Sequence, residues 1–252
     1  MFLLAATPAS ARADARSNVG GFPYRVAVTH RTKAVKSAPA GYERSWKERV
    51  EVIVGTKLRD AAFSRLMRRE ALESLRQYYG DDPGSDCSSF ERCEIAGSLE
   101  VIEDVTSASP DVIAANIGTG FYNAGMPHPN SMGARSFIWS RRLNRLLRQS
   151  DVFAIPPDDT LRRLAQSNFD NREGLLNPDD PKGIPLDWNH ASIGPDGITW
   201  SFEPYELGGY LSAGAATISW SALKPYLHSK LPFVIREIRS TRRPVASQAS
   251  SK

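Results

Sequence analysis

Apolar and polar residues alternate in several short stretches of the chain, which is the pattern of half-buried β-strands. In residues 197–203, Ile198, Trp200 and Phe202 fall on one face, and we expect Trp200 and Phe202 in the core. Further strands are predicted at 24–30, 94–109, 111–125, 136–140 and 216–223. Residues 50–54 fit either a strand or the lead-in to a helix.

Apolar residues recur at helical spacing from Leu58 up to Gly80, a residue type that commonly ends helices, so a helix is predicted there. Its arginines are interpreted as a solvated face rather than a polyanion site; they are Arg65, Arg68, Arg69 and Arg76. A short helix is predicted at 158–169, after an acidic start. Residues 141–147 fit either a basic helix or a turn into another strand.

These elements lack the regular strand–helix alternation of α/β folds. The predicted fold class is therefore α+β, with a mainly antiparallel sheet packed with a few helices. The length of 252 residues allows one large domain or two small ones. Residues 14–45 are expected to start irregularly because of Gly20, Gly21 and Pro23. The predicted parts are a signal peptide remnant (1–13), an N-terminal α/β part (14–94), a C-terminal domain (95–230) and a disordered tail (240–252).

The composition narrows the classes of partner. Hydrophobic residues make up 41% and charged residues 24%, which is ordinary for a globular protein. The formal net charge of +4 is too small to indicate nucleic-acid binding. No window after the N-terminus approaches the roughly 18 apolar residues of a membrane span, so none is expected in the mature chain.

The N-terminus predicts export. An apolar run from Met1 to Ala6 is followed by Ala11-Arg12-Ala13, the small-x-small pattern of a signal-peptidase site. The positively charged region that normally precedes such a run is missing, so we expect the true start to lie upstream. A merely apolar N-terminus is the alternative. The predicted location is periplasmic or secreted.

Two cysteines fit that location. Cys87 and Cys93 enclose five residues, and in an oxidising compartment a lone close pair is most simply a small disulfide loop. A metal site would need two more ligands, and the four histidines are scattered along the chain. No metal and no cofactor are therefore expected.

Motifs that carry catalytic chemistry are missing from the sequence. It has no phosphate-binding loop, no nucleophile elbow and no zinc-protease motif. Glu203 and Glu206 could pair as carboxylates, but two acids three residues apart in a turn are common without a catalytic role. His128 lies between Pro127 and Pro129, where it either presents its side chain to a partner or simply helps to make a turn. The chain is predicted not to be an enzyme.

Two stretches, 121–139 and 197–227, carry a resemblance when taken together. In the first stretch, the residues that agree with a known family signature are Tyr122, Gly125, His128, Pro129, Asn130, Phe137 and Trp139. The second matches with Asp196, Gly197, Trp200, Phe202, Pro204, Tyr205, Glu206, Tyr210 and Gly214. They resemble the paired signatures of a family of secreted bacterial domains. Its members include the extracellular domain of the lysozyme-sensing anti-sigma factor RsiV, the accessory region of certain peptidoglycan deacetylases and a secreted mycobacterial immunogenic protein.

The resemblance covers about residues 95–227 and has two departures. Met126-Pro127 interrupts the usual Gly-Ala-His turn, and Asn144 stands where glycine is usual in the following turn. Asparagine tolerates the left-handed backbone conformation, so that turn can survive.

The resemblance implies a non-catalytic binding protein that recognises lysozyme or cell-wall glycan. The predicted binding residues are Pro204, Tyr205, Glu206, Tyr210, His128 and Tyr122, with Tyr205 and Tyr210 divided between packing and recognition. Many lysozymes are basic, so such an interface would need a local acidic cluster, either Asp179-Asp180 or Glu203 with Glu206. The alternatives are a cell-wall polymer-modifying enzyme, although the deacetylase relatives keep catalysis in a separate domain, and a surface protein without a single ligand.

Overall fold

A computed structural model of the protein describes residues 12–34, 45–79, 97–123, 130–175, 177–203, 206–207 and 213–240. Its strands are β1 (Arg12–Val19), β2 (Phe22–Ala34), β3 (Ser45–Gly55), β4 (Gly97–Ala108), β5 (Val112–Asn123), β6 (Asn130–Ser140), β7 (Arg145–Leu146), β8 (Ala191–Ile193), β9 (Gly197–Phe202), β10 (Gly214–Ser219) and β11 (Arg239–Ser240). Its α-helices are α1 (Ala61–Tyr79), α2 (Gln149–Val152), α3 (Asp159–Ser167) and α4 (Trp220–Leu223). Short 3₁₀ turns include Leu58–Asp60, before α1, and Trp188–His190, before β8.

The strands form two sheets, and the predicted α+β class is confirmed. Of the described strands, eight make the main sheet in the order β1-β2-β3-β4-β5-β6-β7, with β11 pairing with β4. Neighbours are antiparallel except β3 and β4, which run parallel. The remaining three form a small antiparallel sheet in the order β10-β9-β8.

The two faces of the main sheet bury two different cores. Successive side chains of a strand point to opposite faces. In β5, Ile113 and Ile117 pack in a first core together with α1, whereas Val112 and Ala114 pack in a second core with β8, β9 and β10. Trp200 is fully buried in the second core, and Phe202 is buried there too, as the alternation in 197–203 predicted. The molecule is therefore layered as helix, main sheet, and small sheet with its short helices.

Strands β1 and β2 form a hairpin with one register shift, between Asp14 and Arg16. The expectation of an irregular start is therefore wrong for most of the described residues of 14–45. Strands β1 and β2 pair up to Val19 and Phe22, and Gly20 and Gly21 make the turn with φ of +51° and +77°. Positive φ at both central residues is the type I′ pattern that matches strand twist. A Cβ on Gly20 would lie 1.9 Å from the carbonyl oxygen of Ala108, so the turn also seats tightly on β4.

The predicted signal-peptide cleavage site lies at the start of this hairpin. Residues 1–11 lie outside the described residues, and the expected cleavage near Ala13 would fall within the first residues of β1. The predicted part boundary at 94/95 also lies outside the described residues. On either side of it, β3 and β4 pair from Lys47↔Ser98 to Glu51↔Ile102, so both parts contribute to one sheet.

Structure resolves the two choices that the sequence left open. Residues 50–54 belong to β3. Residues 141–147 make a turn into β7, and Asn144 has φ of +51°, the left-handed conformation expected of it. The predicted helices are confirmed as α1 and α3; Asp158 caps α3 by accepting a hydrogen bond from the Leu161 amide at 2.9 Å. None of the described helices is long and apolar enough to cross a membrane.

Buried ionisable groups lie on the α1 side of the main sheet, among them Asp60 and Glu103. Asp60, just before α1, is fully buried and accepts two hydrogen bonds from Arg141, at 2.8 and 3.1 Å. Arg141 also donates to the Ser109 carbonyl and lies over the Phe22 ring. Glu103 in β4 is 2% exposed and accepts the Ile53 amide at 2.7 Å, where β3 has separated from β4. These contacts connect α1, the β2–β3 hairpin and β4.

Candidate functional site

The predicted binding residues belong to two places in the fold. Glu206 lies between β9 and β10, as do Pro204, Tyr205 and Tyr210 by sequence, and these three lie outside the described residues. Tyr122 is in β5 of the main sheet, opposite Ser98 of β4. His128 lies outside the described residues between β5 and β6, as do Cys87 and Cys93 between α1 and β4. For the predicted site between β9 and β10, the structure therefore describes the residues on either side of the 203–213 connection, together with Glu206 and Leu207 within it.

The connection starts and ends on a firmly paired hairpin. Strands β9 and β10 pair in unbroken register from Ser219↔Gly197 to Gly214↔Phe202. The alternation in 197–203 explains this, because Ile198, Trp200 and Phe202 all face the second core. The last pair, Phe202 and Gly214, is the point at which the connection leaves and rejoins the sheet, and we call this pair the base of the connection.

On the β10 side of the base, the strand is hydrogen-bonded to residues 170–171, which follow α3. The Ala215 amide donates to Asp170 Oδ1 at 2.8 Å, and the Asp170 amide donates back to the Ala215 carbonyl at 3.0 Å. Asn171 Nδ2 donates to the Ala213 carbonyl at 2.9 Å. A Cβ on Gly214 would lie 2.6 Å from Asp170 Oδ1 and 2.7 Å from the Phe169 ring, so this position accepts only glycine without rearrangement.

The β9 side is closed by Glu203 and Glu206. The Glu203 amide donates to Glu206 Oε2 at 2.9 Å, and the Glu206 amide donates to the Glu203 carbonyl at 3.2 Å. The two acids that the sequence placed three residues apart are thus joined through one turn, in which the Glu206 carboxylate satisfies a backbone donor. This contact fixes the carboxylate of Glu206 at the start of the connection.

His190 is a member of this site that sequence reasoning missed. Its ring stacks on Phe202, with centroids 5.9 Å apart and planes 12° from parallel, and its Nδ1 lies 3.6 Å from Glu206 Oε2. The contact with Glu206 becomes an ion pair when the imidazole is protonated. The 3₁₀ turn Trp188–His190, capped by Asp187, delivers the ring to Phe202. Sequence spacing held no signal for this, because the contact depends on how β8 is placed beside β9.

The site is acidic. Asp170, Glu203 and Glu206 surround the base of the connection, and none of them contacts an arginine or lysine in the described part of the chain. The other acidic pair that the sequence suggested lies elsewhere. Asp179 is 3.5 Å from Arg172, and Asp180 Oδ1 accepts the Lys182 amide. Of the two candidate acidic clusters, Glu203 with Glu206 is the one at the predicted recognition turn. We call Asp170, Glu203, Glu206 and His190 the acidic end.

The described residues of the acidic end offer carboxylates in fixed positions. Glu206 is held by a backbone amide, and Asp170 by another, so both carboxylates have fixed positions. Within the described ranges, no three or more His, Cys, Asp and Glu side chains are grouped so as to hold a metal ion. Carboxylates held in place on either side of one connection are suited to bind a cationic surface.

Comparison with known proteins shows the fold. No protein-family model matches the sequence, and no curated protein matches it. The structure is similar to that of a DUF3298 family member from Bacteroides fragilis, with a TM-score of 0.55 and 14% identity over 84% of this chain and 96% of that one. A DUF3298 family protein from Pseudomonas aeruginosa PAO1 matches with a TM-score of 0.59 and 14% identity over 82% and 95% of the two chains. At this identity, what is shared is the fold of bacterial DUF3298 proteins.

Proposed function

We propose that the protein is a non-catalytic binding protein that recognises a lysozyme through the turn between β9 and β10. The observation that carries the proposal is the acidic end, where Glu203 and Glu206 follow β9 and Asp170 lies beside β10. Among the described residues, none of these three carboxylates contacts an arginine or lysine, and His190 lies beside Glu206. The resemblance of residues 95–227 to the extracellular domain of RsiV suggests the partner class.

Charge favours a basic protein over cell-wall glycan. Peptidoglycan carries carboxylates on its peptides, so the acidic end would repel it. A basic lysozyme would instead be attracted, in spite of this chain's own formal charge of +4, because complementarity acts locally across an interface. Electrostatic attraction of this kind raises the association rate and falls with added salt.

The fixed ends of the 203–213 connection favour recognition by the residues between them. Since Phe202, Gly214 and Ala215 are held by strand pairing and by Asp170, the 203–213 connection starts and ends at fixed points. Ordering fewer residues on binding lowers the entropic cost of association. Tyr205 and Tyr210 are the residues of this segment best suited to act as anchors, because tyrosine joins an apolar ring to a polar tip.

The experiment is a titration of a basic c-type lysozyme into the purified protein, followed by calorimetry at low and at physiological salt. The variant Glu203→Gln/Glu206→Gln removes two charges, and the side-chain amide oxygen introduced at position 206 can still accept the backbone N–H of residue 203. Exposed ion pairs contribute roughly 0.2–1 kcal/mol each, so the dissociation constant should rise by about tenfold. The matched control is Asp179→Asn/Asp180→Asn, which removes the same charge elsewhere and should change the constant by less than about twofold.

Four results would overturn this proposal. Three of them are no binding of lysozyme, equal loss of affinity in the control, and binding of purified peptidoglycan that does not depend on Glu203 and Glu206. The last would favour glycan recognition at another surface. Equal affinity at both salt concentrations would also contradict an interface of opposite charges.

Export belongs to the same proposal, because lysozyme and peptidoglycan are both outside the cytoplasm. We propose a mature chain that begins close to Asp14 and carries a Cys87–Cys93 disulfide. Mass spectrometry of the intact protein from the cell envelope tests both features at once. An N-terminus that retains Met1, or two free thiols in protein isolated without reductant, would show that the corresponding feature is absent.

A further inference from the structure

A cavity of about 450 Å³ lies between α1 and the β2–β3 hairpin. It is on the α1 side of the main sheet, whereas the acidic end belongs to the small sheet on the other side. The β2–β3 register aligns the strand residues that line it, in the pairs Arg25↔Val54, Ala27↔Val52, Thr29↔Val50 and Arg31↔Glu48. Because alternate residues of a strand share a face, all these side chains face the same space.

The floor of the cavity is aliphatic. The strands supply Ala27, Val50, Val52 and Val54, and α1 supplies Ala71, Leu72 and Leu75. Val50, Ala71 and Leu75 are buried, but Leu72 is 47% exposed although the sequence places it in the apolar series of the helix. An aliphatic floor with an exposed leucine leaves apolar surface in contact with water, which a ligand's hydrocarbon could cover.

The rim of the cavity is basic. Arg25, Arg65 and Arg68 line it, and within the described residues none of the three forms an ion pair or a hydrogen bond through its side chain. Arg31 lies 3.5 Å from Glu48, whose carboxylate is 1% exposed. Arg25, Arg65 and Arg68 therefore line the cavity without an ion pair among the described residues, and Glu48, the described carboxylate that lines it, lies beside Arg31.

Other arginines of the same helix behave differently. Arg69 is 2.9 Å from Glu70, and Arg76 is 3.6 Å from Glu73. The solvated arginine face that the sequence predicted is thus divided into arginines paired with acids and arginines left at the cavity. Unbalanced like charges repel each other, so an anion at the rim would be stabilised by all three.

We propose that this cavity binds an amphipathic anion, a molecule with one alkyl chain and one anionic head group. The chain covers the aliphatic floor, and Arg25, Arg65 and Arg68 bind the head group, for which the planar guanidinium is suited. The volume of about 450 Å³ falls within the common range for small-molecule sites. A lipid fits better than an acidic peptide, because the cavity opens on a sheet face, where strand backbone groups are not available for pairing.

The probe is sodium dodecanoate, titrated below its micelle concentration and followed by calorimetry. Two further titrants separate the parts of the ligand: dodecyl maltoside has the same chain with an uncharged head, and acetate has the charge without the chain. Dodecanoate should bind at a single site, and each of the other two at least about tenfold more weakly. Equal binding of dodecyl maltoside, or no binding of dodecanoate, would overturn the proposal.

Variants then locate the binding. Arg65→Gln/Arg68→Gln should weaken dodecanoate binding by about tenfold. Leu72→Gln should also weaken binding, because it replaces part of the aliphatic floor by a polar side chain. The matched control, Arg69→Gln/Arg76→Gln, removes the same charge from the same helix and should leave binding within about twofold. Glutamine has a helix propensity close to that of arginine, so α1 is preserved, and melting temperatures check this. Equal weakening in the control variant would contradict a site at the cavity.

This proposal is independent of lysozyme recognition. Glu203→Gln/Glu206→Gln should bind dodecanoate as the unmodified protein does, and Arg65→Gln/Arg68→Gln should bind lysozyme at least as well. A single variant that abolished both would place the two ligands at one site and would contradict the assignment of the anion to the cavity.

Discussion

The acidic end and the arginine-rimmed cavity differ in charge, in surface and in what holds them in place. At the acidic end, Asp170 and Glu206 are fixed by backbone amides and remain near the surface. At the cavity, arginines surround an aliphatic floor, and the α1 side of the sheet also contains a largely buried ion pair, Asp60–Arg141. The formal charge of +4 describes neither region. Net charge is therefore a weak guide to partners when opposite charges collect on opposite sides of a sheet.

The two regions should differ in how much folding stability is lost when a charged residue is substituted. Carboxylates near the surface lose little when a contact is removed, because water replaces it. A buried ion pair that loses one partner leaves a charge with neither water nor counterion. The α1 side should therefore lose more stability than the acidic end for comparable substitutions.

The largest expected effect is that of Arg141→Met. Arg141 is 5% exposed and Asp60 is fully buried, so the substitution removes both hydrogen bonds to the Asp60 carboxylate and leaves only Arg59, at 4.0 Å, as its counterion. We expect a loss of about 4 kcal/mol in the free energy of unfolding, measured by urea denaturation. The counterpart at the acidic end, Asp170→Ala, should cost only about 1 kcal/mol.

The double variant Asp60→Asn/Arg141→Met is the control, since it removes the buried charge together with its partner. It should regain most of the lost stability. If Arg141→Met and Asp170→Ala cost the same, the contrast between the two regions would not hold.

The second effect concerns pH and Glu103. Burial raises the pKa of Glu103 from 4.5 to about 8; the Ile53 amide opposes this, and the nearby Glu70 adds to it. The folded protein then holds a proton that the unfolded chain has lost between pH 4.5 and about 8. Stability from this group is full below pH 4.5 and decreases by about 1.4 kcal/mol for each pH unit as pH rises through that window.

Glu103→Gln should remove this dependence, because an amide has no proton to lose and its oxygen can still accept the Ile53 amide. From about pH 5 to about pH 7.5, the unmodified protein should lose on the order of 3 kcal/mol more than the variant. Glu206→Gln keeps Glu103 and should show the unmodified slope. Parallel stability curves for the unmodified protein and Glu103→Gln would disprove the assignment.

The smallest effect is on binding, through Tyr205→Ala and Tyr210→Ala. An aromatic anchor commonly contributes about 2 kcal/mol, so affinity for lysozyme should fall by about thirtyfold. Melting temperature and dodecanoate binding should stay unchanged, which would separate recognition from packing and the acidic end from the cavity. If both variants melt early, the tyrosines pack in the core. If both bind normally, the surface lies elsewhere, and the segment around His128 is the next candidate.

Much of the fold could be predicted from the sequence because local pattern reflects burial. The period-2 alternation in 197–203 predicted β9 and the burial of Trp200 and Phe202. Helical spacing from Leu58 to Gly80 predicted α1. The hairpin at Gly20-Gly21 was missed although its turn signal is present, because two adjacent glycines also suit irregular chain.

The candidate site could be predicted only in part. Glu203 and Glu206 were identified as a pair, and their spacing within one turn is what allows the amide–carboxylate bond between them. His190 and Asp170 could not be identified, since each reaches the site from a separate element. Likewise, the spacing of the arginines in α1 indicated an exposed face but could not show which of them would form an ion pair with a glutamate.

The sequence by itself determined the elements with a clear period, such as α1 and β9, because strand and helix periods depend on residues that are close in the chain. Tertiary structure alone decided that β3 and β4 run parallel, that Arg25 and Arg65 line the same cavity, and that His190 stacks on Phe202. The physical reason is that an apolar pattern records that a side chain is buried but not against which partner. Partners are chosen by the register and packing of the whole sheet, to which every strand contributes.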